Sequence, residues 1–387
     1  MPSPSSLVAA LPASGIRKMM AKAAALGDVA RLDVGEPQFA TPAHIIEAAF
    51  EAARSGATKY TFSGGLASTR QAIAASVTRD TGAIASESNV VVTVGAVGAL
   101  VSAVRAVVDG GDHVLIPDPG WPNYTSIVRV SGAEPRPYSL IAEHSFVPTV
   151  DALEAALTPR TKAVLINNPG NPTGAVFSAA EVDAVLRFAR AHDLYVISDE
   201  VYSKIVFEPP YTSAWGRGED DRVIVADSLS KTYSMTGWRI GWALADADMA
   251  AQIAKLQEAY ISCCSAVSQK AAEAALSGDQ QCVATAREAY RRNLAIATAE
   301  LDARGIAYAR AAGSFYLWVD ADCDDSWGFA DRLLDERRVA VAPGEAFGEQ
   351  GRGRVRLSLA SSEDQVRRGV RELAAACAQY AGDAAAG

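Results

Sequence analysis

The sequence predicts an α/β fold: a mostly parallel sheet flanked by helices, followed by a smaller α+β unit. Three observations lead there. Short β-rich apolar runs alternate with Ala-rich stretches of helical character from about residue 90 to 275. From about residue 276 the alternation gives way to long helices with isolated strands. The polar and glycine-bearing clusters of the first part all follow the carboxyl ends of its predicted strands.

Strands are predicted at residues 90–94, 113–116, 163–166, 194–198, 223–226 and 240–244, with helices at 96–108, 178–192 and 249–260 between or after them. Ser178 with Glu181 three residues on forms the capping-box pattern that starts a helix. In the second part, helices are predicted at 280–304, 329–337 and 362–380 and strands at 314–319 and 354–359, a unit expected to be joined by the N-terminal segment. The limits assigned are 45–275 for the large domain, and 1–44 with 276–387 for the small one. The low-complexity ends, PSPSS and AGDAAAG, are expected to fray. No fixed-period repeat is present.

Composition bounds the function. The chain has 387 residues, 49% of them hydrophobic and 21% charged, which suits a globular enzyme of two domains. A net charge of -9 argues against a broad nucleic-acid surface, which needs clustered Lys and Arg, but leaves a small anionic ligand open. Five cysteines, at 263, 264, 282, 323 and 377, have neither zinc-site nor disulfide spacing and read as buried thiols of a reducing compartment. The N-terminus lacks a basic stretch followed by a long apolar one, and no run approaches the roughly 20 apolar residues of a membrane span, so a cytoplasmic protein is expected.

Four clusters follow strands: Gly95-Ala96-Val97-Gly98, the stretch NNPGNPTG at 167–174, SDEVY at 198–202 and DSLSK at 227–231. Ligands of open α/β sheets bind at the carboxyl ends of strands, so one shared site is expected there. Singly, each has a plain structural reading. Glycines make tight turns, Asn-Pro-Thr-Gly is turn composition, acids cap helices and a lysine is commonly solvated. Other chemistries lack their players. SLSKT has no upstream P-loop glycines, no G-x-G-x-x-G follows the first strand, and the four histidines (44, 113, 144, 192) form no metal-ligand or triad spacing, so no metal is expected. What remains is Lys231, an amine in apolar sequence with Arg239 eight residues on. In apolar surroundings and facing a cationic neighbour, such a lysine would be a competent Schiff-base former, which requires an aldehyde cofactor. Pyridoxal phosphate would use the other clusters as well: backbone N–H groups and an arginine for its phosphate, a carboxylate for its ring nitrogen, donors for its phenolic oxygen.

Taken together, NNPGNPTG, SDEVY, SLSKTYSMTGWRIGW and VRLSLA resemble the class I/II aminotransferases, fold-type-I pyridoxal-phosphate enzymes. The resemblance runs from LDVGEP at 32–37 through YTFSGG at 60–65 to PGEAF at 343–347 and Arg356. It implies a seven-stranded sheet in the large domain and a transaminase moving an amino group between an L-amino acid and a 2-oxo acid. Lys231 would hold the cofactor as an aldimine and move the proton from Cα, and Asp199 would pair with the ring nitrogen. Asn171 and Tyr202 would bond the phenolic oxygen, while Gly95, Ala96, Val97, Ser228 and Arg239 would hold the phosphate. Trp121 would stack on the ring, Tyr60 would reach the phosphate of a neighbouring subunit in a homodimer, Arg356 would bind the substrate α-carboxylate, and Gly35 would lie in a closing loop. Two departures stand out. Gln38 replaces the acid of the common GEPDF, and Val97 stands where the aspartate-specific branch tends to carry lysine, which favours a neutral, aromatic or specialised donor. The same scaffold also serves lyases and cyclases acting on amino acids. A regulator on an aminotransferase domain would need a DNA-binding extension, for which the pattern beginning by about residue 31 leaves too little chain.

Overall fold

In the computed structural model, which describes residues 2–3, 5–9, 11, 15–208, 210–218 and 220–386, the alternating region forms a single seven-stranded sheet. After β1 (Ala30–Arg31), the strands of that sheet are β2 (Val90–Thr93), β3 (His113–Asp118), β4 (Glu134–Ser139), β5 (Thr161–Asn167), β6 (Tyr195–Asp199), β7 (Val223–Ser228) and β8 (Gly241–Leu244). Their spatial order is β2-β8-β7-β6-β5-β3-β4, and β8 alone runs antiparallel to its neighbours.

The strands are apolar because both faces are covered. Alternate residues point to opposite faces. Val90, Val92, Val164, Ile166, Val223 and Val225 enter one core, and Val91, Ala163, Leu165, Ile197, Ile224 and Ala226 enter the other. Each of the larger side chains contributes roughly 1.5–3 kcal/mol when fully buried. β4 was not expected from the sequence, and its composition explains why. It reads EPRPYS, with Tyr138 its one buried residue, and it occupies the sheet's edge, where prolines 135 and 137 forfeit few ladder bonds.

The helix Ala179–Ala191 starts as its sequence predicts. The Ser178 hydroxyl accepts the Glu181 N–H, and the Glu181 carboxylate accepts the Ser178 N–H at 2.6 Å. The helix Gly95–Val107 leaves the edge strand β2 and packs back across β6, β7 and β8, so its N-terminus approaches the middle of the sheet's carboxyl edge.

The later strands are β9 (Tyr316–Asp320), β10 (Val339–Ala340), β11 (Ala342–Pro343) and β12 (Arg354–Ser358), with an antiparallel sheet in the order β11-β12-β9. Its core joins Phe315, Leu317, Val319, Val355 and Leu357 to Leu333, Val366, Val370 and Leu373 of the flanking helices. The N-terminal segment belongs to this unit: β1 pairs in parallel with β10, and Leu32 is buried in the same core. Ahead of β1, the helix Gly15–Leu26 is tied to the helix Ser326–Arg337 by Lys22, whose amine bonds Asp331 at 2.6 Å and Asp335 at 2.8 Å.

Two expectations are corrected. Only Cys264 and Cys377 are buried; Cys263, Cys282 and Cys323 are half-buried, because they stand on partly covered helix and loop faces. The C-terminal tail is not simply frayed: the last helix, Glu363–Ala386, runs through it, and its Ala-rich composition favours helix, whereas of PSPSS only Ser6 joins a helical turn. Residues 1, 4 and 387 lie outside the described residues.

Ser178→Ala is expected to lower unfolding free energy by about 1 kcal/mol, the usual worth of an N-cap, without changing turnover. Urea denaturation followed by circular dichroism checks it.

Candidate active site

Three strand ends stand level. Asn167 closes β5 and pairs with Asp199, which closes β6, and Asp199 pairs in turn with Ala226 of β7. β7 continues to Ser228, where the chain turns directly into the short helical segment Leu229–Thr232 that carries Lys231. Ser228 caps that segment by accepting the Ser230 N–H.

The fourth cluster comes from the edge. Gly95 opens the helix Gly95–Val107 with φ +68°, a conformation costly for other residues, and a Cβ there would stand 2.8 Å from the Arg239 guanidinium. Gly241, which pairs with both Ser228 and Thr93, lets this turn rest on the sheet; a Cβ would meet backbone atoms of Asp227, Gly95 and Ala96 at 2.6–2.8 Å. Helix-start amides, a hydroxyl and a guanidinium therefore gather at one place, a combination suited to a phosphate.

These groups line a cavity of about 580 Å³ together with Gly35, Trp121, Asn171, Asp199, Tyr202, Lys231 and Arg356. The Lys231 amine donates to the Gly35 carbonyl at 2.6 Å, which fastens the N-terminal loop over the lysine. Asp199 is 4% exposed. Its Oδ2 accepts the Tyr124 hydroxyl at 2.6 Å and its Oδ1 the Val201 N–H at 3.4 Å. Burial pushes the carboxyl up to about 6, against the opposing pull of those hydrogen bonds and of the Lys231 charge.

Arg356, which also lines the cavity, is 5% exposed. It donates to the Asn171 side-chain oxygen at 3.1 Å and to the Asp33 carbonyl at 2.7 Å, while its Nε has no hydrogen-bond partner among the described residues. Its guanidinium lies 4.2 Å from the Tyr316 ring centre and 5.0 Å from that of Phe347. A buried guanidinium with an unused donor is expensive unless an anion completes its shell. The Tyr316 hydroxyl is also 3.1 Å from the Tyr202 hydroxyl, and burial raises the Tyr202 phenol well above its usual range. Asn171 is braced from below: its N–H donates to Asn167 Oδ1 at 2.8 Å, and Asn167 donates to the Asp199 carbonyl at 3.0 Å.

Of the residues expected at the site, only Tyr60 lies away from this cavity within its own chain, where it is 90% exposed; Gly95 abuts it through Arg239. Trp121 is on the cavity wall, edge-on to Tyr124 with ring centres 5.4 Å apart. Several residues were missed. Tyr124 lay three positions beyond Trp121, a spacing that shares one face at a helix start. Tyr316, Asn167, Phe347 and the carbonyl of Asp33 carried no separate signal. Ile16, Arg17 and Met20 of the first long helix line the cavity as well.

Pyridoxal phosphate fits the groups present. The gathered amides and Arg239 suit its phosphate, the Asp199 carboxylate lacks a buried cation that a protonated ring nitrogen would supply, and Lys231 offers the amine. Among the described residues, no cluster of three or more His, Cys, Asp or Glu is placed to hold a metal ion, and no helix is long and apolar enough to cross a membrane.

Comparison with known proteins gives the same chemistry. The family model for aminotransferase class I and II matches residues 27–373. The chain is 36% identical over 352 residues to the aspartate/prephenate aminotransferase of Thermus thermophilus, covering 90% of each. It is 35% identical over 363 residues to a probable N-acetyl-LL-diaminopimelate aminotransferase of Bacillus subtilis, covering 93% of this chain and 92% of that one. The structure of the T. thermophilus aspartate aminotransferase with maleate superposes with a TM-score of 0.92 at 35% identity, over 97% of this chain and 100% of that one. The chain belongs to the class I and II aminotransferase family and is a pyridoxal-phosphate-dependent transaminase acting on an amino acid and a 2-oxo acid.

Proposed function

We propose that this transaminase takes an amino donor with an uncharged, apolar or aromatic side chain, and that its cavity divides the work as follows. Lys231 would hold the cofactor, and its amine would move the proton at the substrate Cα. Asp199 would pair with the ring nitrogen, Asn171 and Tyr202 would bond the phenolic oxygen, and Gly95, Ala96, Val97, Ser228 and Arg239 would hold the phosphate. Trp121 would stack on the ring. Arg356, joined to Asn171, receives the α-carboxylate through its guanidinium fork. Bound pyridoxal phosphate supplies the electron sink that makes Cα acidic. The observation that carries this division is the convergence of Lys231, Asp199, Tyr202, Asn171 and Arg356 on one cavity. Neither the family nor these relatives favour a lyase or cyclase.

The side-chain preference follows from the cavity lining. Ile16, Met20, Val97, Leu100 and Trp121 give it an apolar part, and the charges of Arg17 and Glu36 there are on exposed residues of opposite sign. We further propose domain limits of 45–275, and of 1–44 with 276–387, and a homodimer in the cytoplasm. Tyr60 at 90% and Phe62 at 82% exposure form an aromatic pair that a second copy would cover, placing Tyr60 at its partner's phosphate.

Lys231→Ala is expected to reduce turnover by a factor on the order of 10⁴ and to abolish the covalent adduct that borohydride traps in the wild type. Full turnover, or a trapped adduct, in that variant would sink the assignment. A panel of donors followed at the cofactor's absorption band should show kcat/KM for L-phenylalanine or L-leucine above that for L-aspartate. Val97→Lys should raise the value for aspartate about tenfold, the worth of one charge-assisted contact.

Asp199 gives a stability prediction with a definite sign. Its folded pKa is raised, so the stability it contributes is fully present below about pH 4 and lost as the pH rises through about 6. Cofactor-free Asp199→Asn protein is therefore expected to be more stable than cofactor-free wild type at pH 8, by on the order of 3 kcal/mol, with the difference vanishing towards pH 4. Its holoenzyme should lose activity by a factor on the order of 10³. Urea denaturation at several pH values, alongside turnover, checks both.

A further inference from the structure

A small set of bonds ties the loop after β3 to the loop between β11 and β12, and it leads directly to Arg356. Asp118, the last residue of β3, is 9% exposed. Its two carboxylate oxygens accept the N–H groups of Glu349 at 3.2 Å and Gln350 at 3.0 Å. These open the 3₁₀ turn Glu349–Gly351 of the small unit, where a carboxylate satisfies otherwise unpaired donors. The approach is close: Gly348 has φ +129°, and a Cβ on it would collide with Asp118 Oδ1. Two residues on, the Gly120 N–H donates back to the Phe347 carbonyl at 2.8 Å.

Each end of this fork is continuous with the site. On the sheet side, Gly120 precedes Trp121 of the cavity wall and the helix bearing Tyr124, whose hydroxyl holds Asp199. On the other side, Phe347 is 3% exposed and its ring lies 5.0 Å from the Arg356 guanidinium and 5.6 Å from Trp318. Among the described residues Arg356 donates two side-chain hydrogen bonds, to Asn171 and to the Asp33 carbonyl, and the rings against it complete its placement.

We propose that Asp118 is a positioning residue for substrate binding: by fixing the backbone at residues 347–350 it holds Phe347 against Arg356, and thereby sets affinity for the α-carboxylate. The inference rests on reading Arg356 as the carboxylate clamp. Asp118 touches neither substrate nor cofactor; its effect passes through Phe347. An asparagine at 118 keeps the volume but turns one acceptor into a donor facing an N–H, which breaks one arm of the fork.

The test uses holoenzyme, the most active donor of the panel above with its oxo-acid partner, and the Cα-methylated form of that donor, which binds without losing a Cα proton. For Asp118→Asn, KM for both substrates and Kd for the methylated analogue should rise about tenfold, the loss of one charge-assisted hydrogen bond. The kcat should change less than twofold, and the cofactor band and content should stay as in the wild type. Phe347→Leu should reproduce the same split without touching the fork, and it serves alone if Asp118→Asn does not fold. Unchanged KM and Kd in folded Asp118→Asn, unchanged values in Phe347→Leu, or a fall in kcat or cofactor content matching the rise in KM, overturns the proposal. Arg356→Lys run in parallel separates the two readings. If it raises KM while the other variants are silent, only the positioning role falls; if it is silent too, the clamp falls and the positioning role with it.

Discussion

The side-by-side register of β5, β6 and β7 is the constraint on which the site depends. Asn167 lies opposite Asp199, and Asp199 opposite Ala226, so the residues that follow each strand emerge at the same height. Side chains alternate along a strand, and a slip of one residue would turn Asp199 from the cavity into the other core. That register is held by hydrophobic packing on both faces, with valines and isoleucines alternating between two cores. The polar groups add little to it. They are placed by an apolar framework whose own energetics have nothing to do with catalysis.

Two of the charged groups buried at the cavity, Asp199 and Arg356, form no ion pair among the described residues. Asp199 receives a phenolic hydroxyl and an amide but no cation in contact, which is why burial raises its pKa. Arg356 receives an amide oxygen, a carbonyl and two aromatic rings but no carboxylate. Under the proposed division of the site, a cofactor cation would meet the demand of Asp199 and a substrate anion that of Arg356.

The two ends are linked through hydroxyls and loops rather than through the sheet. Tyr316 touches both the Tyr202 hydroxyl and the Arg356 face. Asn171 is bonded by Arg356 and braced by Asn167. A shift of Tyr316 or Arg356 would therefore be felt at Tyr202 and Asn171 together.

Much of this was legible in the sequence because it is local. Alternating apolar runs mark strands buried on both faces, Ser178 with Glu181 marks a helix start, and the motifs around Asn171, Asp199 and Lys231 sit directly at strand ends. Where local signals were absent, the reading failed. β4 has a polar, proline-bearing sequence that becomes a strand only because β3 offers it an edge, and the antiparallel direction of β8 leaves no trace in composition. Tyr124 and Tyr316 carry no local signal, since nothing in their neighbourhoods says that one hydroxyl meets Asp199 and the other Tyr202. By itself the sequence determined the fold class and the residues delivered by strand ends, because hydrophobic periodicity and turn composition act over a few residues, and the resemblance of its motifs to a known family implied the cofactor. The tertiary structure alone decided which side chains meet across 75, 114 or 185 positions of chain, because those contacts depend on how separately formed layers pack.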